Sequence, residues 1–343
     1  MELSIFDYEL PSELIASEAL SERSASRMLV LDRKAATFTD KNFSDLVSVL
    51  GPRDVLVINN TRVFPARLYG KSDTGAAIEA FLAEDLGGSR WRVLARPGRR
   101  LKTGKMIIFS DRLTATVAYK EPDGTVVLDF QAIGDLASIV DEIGKTPLPP
   151  YIRRDPDALD RDRERYQTVY SKERGAIAAP TAGLHFTSEI MRELKRKGIR
   201  IVELTLHVGY GTFEPVRVDD LSKHSVLPER YEINEEAAAA LNAAKERGER
   251  IIAVGTTTTR ALETNFVRYG RFAPEKALAD LTILPGHDFR AIDGLLTNFH
   301  LPKSSLLVLV STFGGHELIM EAYKHAVQAR YRFYSYGDCM LIV

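Results

Sequence analysis

The stretch RIIAVGTTTTR at residues 250–260 decides the fold class of this chain. The apolar run 251–254 is typical of a buried strand, and Gly255 ends it in a turn. A helical pattern follows over 257–269. A buried strand that turns directly into a helix is typical of an α/β domain.

The same alternation of helices and strands continues on both sides of this stretch. Helices are predicted over 187–198, 234–248 and 316–330, the first two beginning at the capping residues Thr187 and Asn234. Strands are predicted over 28–32, 55–59, 199–208 and 338–343. The pattern therefore predicts an α/β domain that includes both ends of the chain.

Residues 60–146 follow a different pattern. Six short strands are predicted there, over 67–70, 76–83, 91–95, 106–109, 114–119 and 125–130. The last two are joined by a Pro-Asp-Gly turn at 122–124. We interpret the chain as a discontinuous α/β main domain formed by 1–59 and 147–343, with an inserted small all-β barrel-like domain over 60–146.

The composition of the 343 residues excludes several classes of protein. Apolar residues make up 45% and charged residues 27%, as in a folded globular protein. The longest apolar run, LLVLV at 306–310, is too short to span a membrane, and the acidic start is unlike a secretory signal. The single cysteine, Cys339, excludes an internal disulfide and a cysteine-based zinc site. We therefore expect a cytoplasmic protein that makes no use of a membrane.

The turn after the 250–254 strand is a candidate anion site. The N–H groups and the dipole at the start of a helix attract a phosphate or a carboxylate. The Thr256 and Thr257 hydroxyls and the Arg260 guanidinium add donors. The stretch matches neither the P-loop nor the dinucleotide-binding glycine pattern. The alternative is that the threonines only cap the helix.

Three further stretches place a histidine among small or polar residues. They are PTAGLHF at 180–186, LHVGYGTFE at 206–214 and TNFHLPKSS at 297–305. Glycine turns at strand ends allow a ligand to approach the backbone closely. In the third stretch Pro302 is predicted as the first helical residue, so that Asn298 and His300 lie in the loop before it. Each histidine has an alternative role as a structural residue.

Two stretches carry the residue types that bind RNA. RPGRRLKTGK at 96–105 has five positive charges and no acidic residue, and RYRFYSY at 330–336 mixes basic and aromatic residues. Basic residues bind phosphates, and aromatic rings stack on unpaired bases. The net charge of −1 gives no global attraction to nucleic acid, so such contacts must be local. The alternatives are a solvated hairpin for the first stretch and arginine stems packed along a core edge for the second.

Taken together and in order, these motifs resemble the S-adenosylmethionine:tRNA ribosyltransferase-isomerase family of queuosine biosynthesis along nearly the whole chain. Further motifs that carry the resemblance are FDYELP at 6–11, NNTRV at 59–63, PARL at 65–68, LPPYI at 148–152, ERYQTVY at 164–170 and YRFYSYGD at 331–338. The resemblance implies transfer and isomerisation of the ribosyl moiety of S-adenosylmethionine onto 7-aminomethyl-7-deazaguanine at the wobble position of tRNA. The products would be epoxyqueuosine-tRNA, adenine and methionine. The family fold, an α/β body with a β-barrel head, agrees with the division into domains made above.

The resemblance also implies a site built from these motifs. The sulfonium of S-adenosylmethionine acidifies the C5′ proton, so a base must reach C5′ and an acid should protonate the departing adenine. The candidate catalytic residues are His185, His207, Glu214, His300 and Asp338. The candidate residues for binding S-adenosylmethionine are Thr181, Gly209, Tyr210, Gly211, Thr212, Phe213, Thr256, Thr257, Arg260 and Asn298. We place the methionine carboxylate at 256–260 and the sulfonium near the ring of Tyr210 or Phe213.

The predicted partner is tRNA, and the expected assembly is a monomer. The candidate tRNA-binding residues are Arg96, Arg99, Arg100, Lys102, Lys303, Arg330 and Arg332. No metal is expected, because the histidines and acids show no ligand spacing such as H-E-x-x-H.

Two positions depart from the family pattern. Leu227 stands where the family commonly has a second histidine three residues after His224, which excludes that position as an essential base. His287 stands where an aromatic residue is usual.

Two other functions compete with the enzyme. One is a non-catalytic protein that binds the tRNA anticodon loop, and the other is an enzyme that acts on a free nucleoside.

Overall fold

The computed structural model describes residues 1–98, 101–149, 151–152, 162–209, 211 and 216–343. The strands are β1 Arg27–Asp32, β2 Thr37–Asn42, β3 Asp54–Asn59, β4 Thr61–Val63, β5 Arg67–Ser72, β6 Ala77–Gly87, β7 Arg90–Arg96, β8 Met106–Ser110, β9 Leu113–Lys120, β10 Val126–Ala132, β11 Glu173–Ala176, β12 Arg200–Leu206, β13 Glu229–Ile233, β14 Arg250–Val254, β15 Glu275–Ala279, β16 Gly294–Asn298 and β17 Cys339–Ile342. The α-helices are α1 Leu46–Val49, α2 Leu136–Ile143, α3 Asp162–Arg165, α4 Ser188–Arg196, α5 Glu235–Glu246, α6 Thr256–Tyr269, α7 Ser305–Gly314 and α8 His316–Gln328.

Nine strands form one sheet in the order β15-β13-β12-β3-β14-β16-β17-β1-β2. The neighbouring strands β12, β3, β14 and β16 run parallel, so their carboxyl ends meet at one edge of the sheet. Every residue of β3 and β16 is buried, as is β14 after its first residue. Burial on both faces explains why such strands have continuous apolar runs. Ligands of open α/β sheets bind outside the carboxyl ends of these strands.

Side-chain caps begin the helices that pack on this sheet. The Thr187 hydroxyl accepts the Ile190 N–H, and the Asn234 side chain accepts the Ala237 N–H. The helices α4 and α5 therefore begin at the residue after the predicted cap. The apolar face of α4 is part of the same buried cluster as residues of β3 and β14.

The prediction that Pro302 is the first helical residue is wrong. The helix α7 begins at Ser305, after Ser304, whose hydroxyl accepts the Leu307 N–H at 3.2 Å. With Pro302 as the first helical residue the cap would be Leu301, which has no side-chain acceptor, whereas Ser304 provides one. Asn298 is correspondingly the last residue of β16 and not a loop residue, whereas His300 does follow the strand.

The strands β5 to β10 form a closed antiparallel barrel in the order β10-β7-β6-β5-β8-β9. Side chains alternate between the two faces; in β9, Leu113, Ala115 and Val117 are buried. The Pro-Asp-Gly turn forms as predicted, with the Asp123 carboxylate accepting the Thr125 N–H at 2.8 Å. The predicted fold class, an α/β domain with an inserted all-β barrel, is confirmed.

The chain divides into two compact units. One consists of Met1–Arg62, Gln167–Glu173 and Ala179–Val343, and the other of Val63–Tyr166 and Arg174–Ala178. The described part of 147–166, which the sequence pattern groups with the α/β domain, belongs to the barrel unit in this division. None of the helices in the described ranges has both the length and the apolar character needed to cross a membrane.

Candidate functional site

A cleft lies at the carboxyl ends of β14 and β16 in the α/β unit. The structure brings five predicted site residues from distant stretches together in its wall: Thr181, Thr256, Thr257, Asn298 and His300. We call this the first cleft. Its position is the one expected for a ligand site in an open α/β sheet.

The helix α6 begins in the first cleft without a side-chain cap. Gly255 precedes it with a φ of 94°, a conformation that glycine adopts without strain. The hydroxyls of Thr258 and Thr259 donate to carbonyl oxygens four residues earlier. Those of Thr256 and Thr257 make no hydrogen bond within the described part of the chain. The first N–H groups of α6 and two hydroxyls are therefore available to an anion.

Asn298 places an unpaired acceptor in the same cleft. The residue is 2% exposed, and its Nδ2 donates to the Tyr334 carbonyl oxygen at 3.0 Å. Its Oδ1 is buried without a partner among the described residues. Leaving such an oxygen unsatisfied costs about 1–3 kcal/mol. The position therefore favours a ligand that carries a hydrogen-bond donor.

His185 lies behind Asn298 and not in the cleft wall. Its Nε2 is 3.3 Å from Asn298 Nδ2, and its Nδ1 is 2.9 Å from Ser26 Oγ. The ring packs on Phe43 with 5.2 Å between centroids. The catalytic role predicted for His185 stays a prediction, and these contacts favour a role in orienting the Asn298 amide.

His300 lines the first cleft itself. Its Nε2 is 2.9 Å from Thr297 Oγ1, and its backbone N–H donates to the Tyr323 hydroxyl at 3.0 Å. Burial lowers the pKa of His300 to about 3. The imidazole is therefore neutral near pH 7, where it can form hydrogen bonds but binds a proton weakly.

The structure separates His207 from this cleft. His207 and Val208 are neighbours in the chain, and Val208 lines the first cleft while His207 lines another groove, together with Tyr231 and Leu278. The Nδ1 of His207 is 2.8 Å from Thr61 Oγ1. Burial lowers the pKa of His207. Two predicted histidines, His207 and His300, thus face different cavities.

Asp338 is committed to contacts within the protein. Its carboxylate accepts the backbone N–H groups of Arg27 and Arg332 at 2.9 and 2.8 Å, and the residue is 2% exposed. It does not line the first cleft. These contacts connect the start of β1 with the 332–338 turn and favour a structural role.

Arg260 uses its guanidinium to bind groups of the protein. It donates to Glu229 Oε2 at 2.7 Å, to the Ala279 carbonyl oxygen at 2.9 Å and to the Leu227 carbonyl oxygen at 3.2 Å. Glu229 Oε1 accepts the Gly209 N–H at 2.8 Å. A ligand carboxylate at Arg260 would have to displace these partners. The predicted role of Arg260 in binding the methionine carboxylate stays a prediction.

Glu229 and Tyr334 are not among the site residues predicted from the sequence. Glu229 is an acidic residue in the stretch where the family pattern is broken, and that break was the available signal. Tyr334 lines the first cleft with a φ of 75°, which residues other than glycine rarely adopt. Backbone strain of this kind is concentrated at functional sites.

Several predicted residues lie outside the described residues. They are Tyr210, Thr212, Phe213, Glu214, Arg99 and Arg100. Gly211 is described, and a Cβ atom there would approach Leu227 Cδ1 to 2.7 Å, so a larger residue would require the Leu227 side chain to shift.

The remaining tRNA-binding candidates differ in their surroundings. Arg96 and Lys102 are exposed in the barrel unit. In the α/β unit, Lys303 Nζ forms an ion pair of 2.6 Å with the Asp7 carboxylate. The Arg330 guanidinium lies 4.0 Å from the Glu13 carboxylate. Arg332 is half-buried, and burial lowers its pKa.

Within the described ranges no group of three or more His, Cys, Asp or Glu has the arrangement of a metal site.

Comparisons with known proteins agree with this architecture. Residues 3–342 match the family model described as queuosine biosynthesis protein. The S-adenosylmethionine:tRNA ribosyltransferase-isomerase of Heliobacterium modesticaldum is 48% identical over 347 residues, with all of both chains covered. The crystal structure of the S-adenosylmethionine tRNA ribosyltransferase of Thermotoga maritima superposes with a TM-score of 0.56 at 38% identity, covering 99% of this chain and 100% of that one.

Proposed function

This chain belongs to the queuosine biosynthesis protein family, and on that premise we propose that it is an S-adenosylmethionine:tRNA ribosyltransferase-isomerase. It transfers and isomerises the ribosyl moiety of S-adenosylmethionine onto 7-aminomethyl-7-deazaguanine at the wobble position of tRNA. The products are epoxyqueuosine-tRNA, adenine and methionine. S-adenosylmethionine is therefore a ribosyl-donor substrate.

The observation that carries this proposal is the pairing of donors and an acceptor in the first cleft. The methionine end of S-adenosylmethionine bears a carboxylate and an ammonium group. The uncapped start of α6 at Thr256 and Thr257 offers N–H and hydroxyl donors to a carboxylate. The unpaired Oδ1 of Asn298 offers an acceptor to the ammonium group. The residues present thus fit the substrate.

Arg260 takes a different role in this proposal from the one expected from the sequence. Because its donors are used by Glu229 and by carbonyl oxygens, we assign the carboxylate to the start of α6. Arg260 then acts as a positioning residue. Through Glu229 it holds Gly209, at the end of β12, near the helix that provides the carboxylate site.

The C5′ proton of S-adenosylmethionine must pass to a base. His300 lines the cleft, but its lowered pKa makes it a weak proton acceptor, and a bound sulfonium cation would weaken it further. His185 and Asp338 are occupied by protein contacts. His207 faces another groove. Glu214 is the remaining candidate from the sequence, so we propose it as the base and assign to His300 the orientation of substrate hydroxyl groups.

Adenine release tests the proposed function. The purified protein is incubated with S-adenosylmethionine and tRNA that carries 7-aminomethyl-7-deazaguanine, and the modified base is then analysed by mass spectrometry. We expect adenine release that depends on the modified tRNA, with the base gaining the epoxycyclopentanediol unit. Tight tRNA binding without adenine release would instead support a binding protein, and release without tRNA an enzyme of free nucleosides. Unmodified tRNA is the control.

A further inference from the structure

A second cleft adjoins the first in the α/β unit. Thr256, Thr257 and Leu306 line both clefts, so the two meet at the start of α6. Away from this junction the second cleft has mainly aliphatic walls, formed by Val226 and Leu227, by residues 283–284 and by the α7 residues Val308 and Leu309. Such walls suit the faces of a flat, uncharged ring.

His224 places an unused polar atom in this aliphatic surrounding. Its Nε2 is buried without a partner among the described residues, and it is the one imidazole of the described chain that lines the second cleft. Two polar groups beside it are committed: Thr282 Oγ1 accepts the Val226 N–H at 3.1 Å, and Arg260 binds Glu229. A buried nitrogen without a partner indicates a ligand with a complementary edge.

We propose that the second cleft binds the adenine ring of S-adenosylmethionine and that His224 Nε2 forms a hydrogen bond with the edge of the purine. This inference rests on the proposed function. Aliphatic walls receive the faces of the ring, and one polar atom recognises its edge. Because burial lowers the pKa of His224, the imidazole is neutral and can serve either as donor or as acceptor, according to its tautomer.

The shared residues explain why the two clefts act as one site. The methionine end occupies the first cleft, at the start of α6, and the adenine occupies the second, beyond the same turn. The ribose, which connects the two ends of the substrate, then lies where the two clefts meet. This placement also puts the bond between adenine and ribose at the junction, where the reaction must break it.

The test compares His224→Leu and His224→Gln with a matched control. His316→Gln is the control, because His316 also has a buried nitrogen without a partner but lines neither cleft. The dissociation constant of S-adenosylmethionine and the inhibition constants of adenine and hypoxanthine are measured for each protein. Urea unfolding is followed in parallel.

We expect His224→Leu to weaken binding of S-adenosylmethionine and adenine about tenfold or more, a loss typical of one hydrogen bond to a buried group. The variant should also lose the preference of the wild type for adenine over hypoxanthine, which a purely structural effect would not change selectively. His224→Gln should retain part of the affinity, and His316→Gln should behave as the wild type. If His224→Leu does not fold, the adenine preference of His224→Gln decides.

The adenine site and the proposed function would be overturned by different results. Wild-type affinity and adenine preference in both His224 variants would overturn the adenine site while leaving the proposed function in place. Absence of tRNA-dependent adenine release from the wild-type protein would instead overturn the proposed function, and the adenine site with it.

Discussion

The carboxylate of Glu229 and the guanidinium of Arg260 form an ion pair of 2.7 Å in which both side chains are less than a tenth exposed. Glu229 is the first residue of β13, and Arg260 lies in the second turn of α6. The second carboxylate oxygen accepts the Gly209 N–H, so one acidic side chain connects β13, the helix α6 and the segment that follows β12. Removing either partner would leave an uncompensated buried charge.

Arg260→Ala should therefore lower the free energy of unfolding by about 3–5 kcal/mol, the usual cost of breaking a buried pair from one side. Urea unfolding measures the change. Arg268→Ala is the control, since Arg268 lies in the same helix but pairs with Glu275 near the surface. Its loss should be about 1 kcal/mol or less. Equal effects of the two substitutions would contradict a structural role for Arg260.

Asn298→Leu should raise the dissociation constant of S-adenosylmethionine about 10- to 150-fold. The expected loss is about 1.5–3 kcal/mol, because a hydrogen bond to the charged ammonium group disappears. Thr264→Val is the matched control, since Thr264 Oγ1 is also buried without a partner and lies further along α6, outside both clefts. Calorimetry of ligand binding gives both constants. An unchanged constant for Asn298→Leu would remove Asn298 from the site.

Decarboxylated S-adenosylmethionine tests the carboxylate site from the side of the ligand. The wild type should bind it about 10- to 150-fold more weakly than S-adenosylmethionine, because charge-assisted hydrogen bonds at the start of α6 are lost. Arg260→Lys should show the same ratio between the two ligands if Arg260 does not contact the carboxylate. A ratio that falls to one in Arg260→Lys would return the carboxylate to Arg260.

Acid should destabilise the protein partly through His300. An unfolded histidine titrates near pH 6.5, whereas burial lowers the pKa of His300 to about 3 in the folded protein. Between these values the unfolded chain binds the proton, so the free energy of unfolding falls as the pH is lowered. The slope from this residue is at most about 1.4 kcal/mol per pH unit. Unfolding of the wild type and of His300→Gln between pH 4.5 and 7.5 should show a smaller slope for the variant, while identical slopes would refute the argument.

Arg96→Ala and Lys102→Ala should each weaken tRNA binding and make it less dependent on salt. Each lost phosphate contact should reduce the slope of log affinity against log salt by about 0.7–0.9. Lys34→Ala, another exposed basic residue, is the control. Filter binding between 50 and 300 mM salt measures the slopes. Unchanged slopes for both barrel variants would exclude these residues from the RNA contact.

The sequence predicted the fold because its signals are local. The caps Thr187 and Asn234, the apolar run of β14 and the turn at Asp123 each act over a few residues, and each formed as predicted. The strand β16 escaped prediction because its LLTN pattern resembles the loop that follows it. The sequence therefore predicts Asn298 as a loop residue, whereas it ends a buried strand.

The candidate site was predictable only in part, since its contacts join distant residues. Thr181, Thr256 and Asn298 were each predicted from a local motif, and all three line the first cleft. The ion pair of Arg260 with Glu229 joins the helix α6 to the first residue of β13, and no local sequence pattern relates these two positions. The separation of His207 from His300 depends on which way one residue faces in an extended segment, and a shift by a single position reverses that direction.

The position of β3 in the sheet has a consequence for synthesis on the ribosome. This strand is buried on both faces between β12 and β14, and the whole barrel segment is translated after β3 and before either neighbour. The nascent chain therefore carries an apolar strand with two unpaired edges while the barrel residues emerge. Exposed apolar strands of this kind are prone to aggregation and are targets of chaperones. Translation speed across the barrel segment thus sets how long the centre of the catalytic sheet stays unprotected.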